Sequence, residues 1–131
     1  MKHMQLENTL FEALGIEIVK YEKDEIILKM PVTPKVHQPL GFLHGGASVA
    51  LAESAASMGG FLHIDPEKQS VFGIEINANH VKSKRDGYVQ AKATPKHVGR
   101  TTMVWEINIV DENEKLISIS RCTLGVVDLK S

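Results

Sequence analysis

A single cysteine, Cys122, leaves this chain unable to form an internal disulfide and fits a reducing compartment. Long apolar runs are missing too. The longest charge-free stretch, Val36 to Ala52, is interrupted by His37, Pro39, Gly41, His44, Gly45 and Gly46, so it is no membrane span. No signal-peptide pattern opens the chain, and a cytoplasmic protein without membrane association is expected. A net charge of −1 offers nucleic acid no general attraction. His37 and His44 lack metal-ligand spacing, and neither a metal nor another cofactor is expected. The absence of a G-x-S-x-G elbow removes a serine-hydrolase reading of His44-Gly45-Gly46.

What is present is an ordinary globular composition, 43% hydrophobic and 24% charged, in 131 residues. That length supports one core, hence one domain over residues 1–131. Charge is unevenly spread. Acidic residues dominate from Glu7 to Glu25, whereas Lys82, Lys84, Arg85, Lys92, Lys96 and Arg100 face only Asp86. This basic run either receives phosphates or forms a solvated face.

Leu6, Leu10, Ala13 and Leu14 recur at helical spacing and Gly15 follows, which predicts a short opening helix. A hairpin comes next, its strands around Ile16–Val19 and Glu25–Met30 joined by a turn at Tyr21–Asp24. Ala47 to Met58 are small or apolar helix formers apart from Glu53, so a long helix begins at the glycine pair. Ser70–Val81 reads as a strand with Phe72, Ile74, Ile76, Ala78 and His80 on one face. Gly87–Lys96 is another, in which Pro95 marks an edge or an end. Two long strands, Thr101–Val110 and Lys115–Val127, flank a turn at Asp111–Glu114, with Met103, Trp105, Ile107 and Ile109 sharing a face. The class is α+β. A single apolar helix in so small a chain is covered only if a curved antiparallel sheet of five to six strands wraps it. The remaining sheet edge asks for a partner, so an oligomer is expected.

Chemistry concentrates at the glycine pair. A helix starting at Gly45-Gly46 presents unpaired N–H groups and its positive dipole end, a place to hold an oxyanion. Gln38 has an amide donor on the preceding loop, and His44 adjoins the same point. Glu53, the lone helical carboxylate, is expected to be buried and raised in pKa, as a nucleophile or general base requires. Eight residues separate it from Gly45, about 12 Å along a helix. If both act on one carbonyl, Glu53 comes from a second chain across a two-fold interface. Ser57, one turn on, is placed to orient the carboxylate or a water. The plainer alternative is that the glycines serve close helix packing and that Cys122 is simple core.

The segment HQPLGFLHGGASVALAESAASMGG (residues 37–60), with INANHVKSKRDG and HVGRTT downstream, closely resembles the hotdog-fold acyl-CoA thioesterases. The match is to those acting on aromatic acyl-CoA, including the 1,4-dihydroxy-2-naphthoyl-CoA thioesterases of menaquinone synthesis and the phenylacetate-pathway type. The resemblance implies a homodimer or dimer of dimers hydrolysing an aryl or medium acyl-CoA. It implies that Gln38 and Gly45 polarise the thioester carbonyl, that Glu53 attacks or activates water with Ser57 orienting it, and that His44 supports the sulfur. Coenzyme A would run along His80, Val81, Lys82 and Ser83 and the Arg100-Thr101 segment. Phe42, Phe61 and Phe72, with Leu40 and Met58, would shape the acyl pocket. Two rival readings remain. A hotdog hydroxyacyl thioester dehydratase would leave Gln38 and Ser57 without a role, and a non-catalytic acyl-CoA binder would not need Glu53.

Overall fold

The computed structural model describes residues 4–129, so the extreme ends of the expected 1–131 unit lie outside the described residues. In chain order the elements are α1 (Leu10–Ala13), β1 (Glu17–Glu22), β2 (Glu25–Pro31), a 3-10 turn (Pro34–Val36), α2 (Gly45–Phe61), β3 (Gln69–His80), β4 (Tyr88–Val98), β5 (Thr102–Asp111) and β6 (Leu116–Asp128). One six-stranded antiparallel sheet results, ordered β1-β2-β4-β5-β6-β3, with β1 and β3 as its edges. The long helix α2 touches all six strands.

Strand alternation builds the core. Ile26, Leu28 and Met30 of β2, Val89, Ala91 and Ala93 of β4, and Met103, Trp105, Ile107 and Ile109 of β5 are buried on one face. Leu51, Ala52, Ala55 and Ala56 of α2 close over them. Truncating one such residue, Leu28→Ala for instance, costs about 2–5 kcal/mol. Small residues on α2 let the sheet come near: a Cβ at Gly59 would strike the Trp105 ring.

The structure departs from the sequence expectations in local ways. The opening helix is only four residues, because Asn8 adopts φ +59° and Thr9 is extended at the N-cap. Tyr21 pairs with Ile26 inside the first hairpin, so the turn shrinks to Lys23-Asp24. Pro95 lies within β4, beyond the last pairing with β2 at Ala93, where its missing N–H removes no bond on that side. In β3 a register shift between Gly73 and Glu75 makes Ile74 an extra residue. The inward face is therefore Val71 and Gly73 before the bulge and Ile76, Ala78 and His80 after it. Phe72 and Ile74 are 60% and 63% exposed.

Candidate active site

His44 caps α2 twice. Its ring Nδ1 accepts the Gly46 N–H at 2.8 Å, and its carbonyl accepts those of Ala47 and Ser48 at 3.0 and 3.2 Å. Among the first-turn donors that a helix leaves unpaired, the Gly45 N–H alone has no partner among the described residues. The positive end of the α2 dipole coincides with it. Accepting at Nδ1 places the proton of a neutral His44 on Nε2. The absence of a side chain at Gly45 is required by His80, whose Nε2 would lie 2.7 Å from a Cβ there.

Gln38 is fixed by a tight loop. Its N–H donates to the Phe42 carbonyl at 2.8 Å, its carbonyl accepts the Gly41 N–H at 3.0 Å, and Gly41 turns the chain at φ +88°. The side-chain oxygen accepts the N–H groups of Leu40 and Phe42 at 2.5 and 3.4 Å. With that oxygen engaged, the amide NH2 is left as the free donor. Opposite, His80 ends β3 and its Nδ1 lies 3.2 Å from the Ser118 hydroxyl.

These groups line one cavity of about 360 Å³, a size suited to a small ligand. Of the residues expected from the sequence it unites Gln38, Phe42, Gly45, His80, Val81, Lys82 and Ser83. Lys84, Leu43, Ser48 and Ile117 complete the wall. The His44 ring lies instead in a neighbouring groove with Leu10, Leu14 and Ala47.

Glu53 is elsewhere. Eight residues along α2 it leans toward edge strand β3, where its carboxylate occupies the space a side chain at Gly73 would fill. It is half-buried, and so are Ser54 and Ser57. The expected enclosure of α2 on every side is thus incomplete in one chain. Cys122 lies in the same region. Burial, together with the charges of Glu53 and Glu75, pushes its thiol up to about 12. Phe61 ends α2, two turns beyond Glu53, and Phe72 points outward from β3.

The basic run does not form one patch. Lys82, Lys84 and Arg85 precede β4, whereas Arg100 and Thr101 follow it, roughly 30 Å away at about 3.3 Å per residue. Acidic partners from β5 and its turn absorb much of the charge: Lys84 pairs with Glu112, Lys92 with Glu114, and Lys96 with Glu106 at 3.7 Å. Lys82 faces Asp111 at 3.9 Å, and the Arg85 guanidinium sits 4.6 Å above the Phe42 ring. The N–H of Lys115 foremost, then that of Asn113, with Lys82 and Lys84 adding, holds the Asp111 carboxyl below the usual carboxylate range against the opposing push of burial. Sequence reasoning missed Ser118, Gly73 and Asp111 as site residues. Only pairing register reveals the first two, and Asp111 had the look of an ordinary turn residue.

A six-stranded antiparallel sheet wrapped about one long helix is the architecture of the hotdog-fold thioesterases. The chain belongs to the thioesterase superfamily, whose model matches residues 40–118. It is 56% identical over 117 residues to a 1,4-dihydroxy-2-naphthoyl-CoA hydrolase of Listeria monocytogenes, covering 89% of this chain and 94% of that one. With the Escherichia coli protein of the same name it shares 43% identity over 121 residues, 92% of this chain and 88% of the other. The crystal structure of a mutant thioesterase PA1618 from Pseudomonas aeruginosa superposes with a TM-score of 0.92 at 41% identity, covering 95% of this chain and 89% of that chain.

Proposed function

We propose that this thioester hydrolase cleaves aromatic acyl-CoA, of the 1,4-dihydroxy-2-naphthoyl-CoA type acted on by its named relatives, in the cytoplasm and as a step toward menaquinone. The observation that carries the reading is the convergence of the free Gly45 N–H and the free Gln38 amide on one cavity. Two donors there hold the thioester oxygen as it gains negative charge. The Glu53 carboxylate either adds to the carbonyl carbon or takes a proton from the water that does. In either case the C–S bond breaks and coenzyme A leaves as the thiolate. With water as the nucleophile the product acid forms directly; with Glu53 as the nucleophile a mixed anhydride remains, which water cleaves to release the acid and restore the carboxylate. Ser57 orients the carboxylate. His44 supports the sulfur through Nε2, and Lys82 and Lys84 meet the coenzyme A arm.

Glu53 reaches the carbonyl from a second chain. Along β3, Gly73 is opposite Leu124 and His80 opposite Ser118, so six ladder steps separate them, with Asn77 midway. A two-fold axis through Asn77, pairing β3 with β3 of a second copy, sets each Gly73 beside the other chain's His80. That places Glu53 of one chain near Gly45 of its partner and covers an edge of 12 residues. Arg100 and Thr101 contribute to coenzyme A binding only from another chain, which a dimer of dimers would supply.

A panel of aromatic and aliphatic acyl-CoA thioesters assayed by free-thiol release tests the function. Aromatic thioesters are expected to give the highest kcat/KM. Tight binding without thiol release would overturn it in favour of an acyl-CoA binder, and reversible water loss from a hydroxyacyl thioester in favour of a dehydratase.

A further inference from the structure

We infer that Gly73 is a positioning residue for the Glu53 carboxylate: the bare backbone of edge strand β3 is the seat on which that group rests. The inference rests on Glu53 being the reactive carboxylate. Three observations carry it. A Cβ on Gly73 would lie 3.3 Å from Glu53 Cδ and still nearer Oε2, so the carboxylate occupies the volume a side chain would take. Gly73 has no left-handed φ, so its backbone does not demand glycine. The extra residue Ile74 follows at once, which turns Gly73 toward α2 while Phe72 and Ile74 face away.

The obstruction falls on the far end of a flexible side chain, while the fold's own packing at this point is untouched. Adding one methyl therefore leaves the sheet intact and drives the carboxylate off its seat by about 1 Å, a misplacement worth up to about a hundredfold in rate. Gly60, which also faces β3, makes the contrast. There a Cβ would strike Leu124 Cδ1 at 2.5 Å, inside the core, so a methyl there perturbs packing and not a reactive group.

The experiment is a kinetic cycle on the whole protein with an aryl-CoA thioester. Gly73→Ala is expected to lower kcat about ten- to hundredfold with KM within about twofold, its melting temperature and oligomeric state unchanged. Glu53→Asp, one methylene shorter, ends clear of residue 73. Its loss of kcat in the Gly73→Ala background should accordingly be several-fold smaller than in wild type. Full kcat in Gly73→Ala, or losses that multiply independently, overturns the inference. So does a Gly73→Ala chain that melts early or fails to fold, since the flexible carboxylate and not the sheet is held to yield. Glu53→Gln separates the two levels. If it keeps wild-type kcat, the assignment of Glu53 falls; if it is inactive while Gly73→Ala is fully active, only the seat falls.

Discussion

The two ends of β3 differ in chemical character. Around His80 the groups without a partner are donors, the Gly45 N–H and the Gln38 amide, with the Lys82 ammonium nearby. Around Gly73 the central group is an acceptor, the Glu53 carboxylate, with the inert Cys122 beside it. One end can polarise a carbonyl and the other can attack it. The same strand holds both, six ladder steps apart, so a single chain carries two half-sites that do not meet. A rigid helix and a strand can place groups accurately but cannot fold back to join them, and the proposed two-fold pairing of β3 would supply the juxtaposition instead.

Removing the acceptor is expected to have the greatest effect. Glu53→Ala should lower kcat on the order of a thousandfold with little change in KM, measured by thiol release; a tenth of wild-type turnover remaining would erase the contrast between the ends. The next test asks whether the halves combine across chains. Gln38→Ala and Glu53→Ala subunits, each inactive alone, are refolded together so that about half the dimers are mixed. Each mixed dimer regains one intact site, and activity should rise to roughly a quarter of wild type. Persistent inactivity with subunit exchange verified by mass would place both groups in one chain's site.

Much of this geometry was legible before any coordinates. The 12 Å separation follows from helix rise alone, and the glycine pair, His44 and Gln38 announced the donor end. The register of β3 did not. Strict alternation put Phe72 and Ile74 with Ile76, whereas one extra residue at Ile74 reverses the faces before it. Nothing local in the sequence marks that bulge, because it is set by pairing with β6 some fifty residues away. The division of the basic run was hidden for a similar reason. Its lysines look unopposed until sheet pairing brings Glu106, Glu112 and Glu114 alongside.

Smaller effects separate the ends further. Lys82→Ala at the donor end should raise KM for coenzyme A thioesters several-fold and leave kcat nearly unchanged, as loss of one charge-assisted phosphate contact would. Arg100→Ala, on the far side of β4, should match it only if another chain brings that residue to the ligand; equal effects in a strictly dimeric protein would refute the separation. The mildest change concerns Asp111, whose lowered carboxyl stabilises the fold above its unfolded pKa and ceases to do so as pH falls through the folded value. Asp111→Asn should therefore melt earlier than wild type near neutral pH. The gap should close in acid, below about pH 4, and a gap that widens there would reverse the sign of the argument.

The state of Cys122 has a practical consequence for a protein whose reaction liberates a thiol. Its sulfur is fully buried, and a thiol held near 12 carries almost no thiolate at neutral pH. Any coenzyme A that air oxidises to its disulfide finds no protein thiolate to exchange with, so the product leaves no covalent scar on the catalyst. A thiol-reactive dye in the assay counts product and not protein, and alkylating agents should leave the native activity alone.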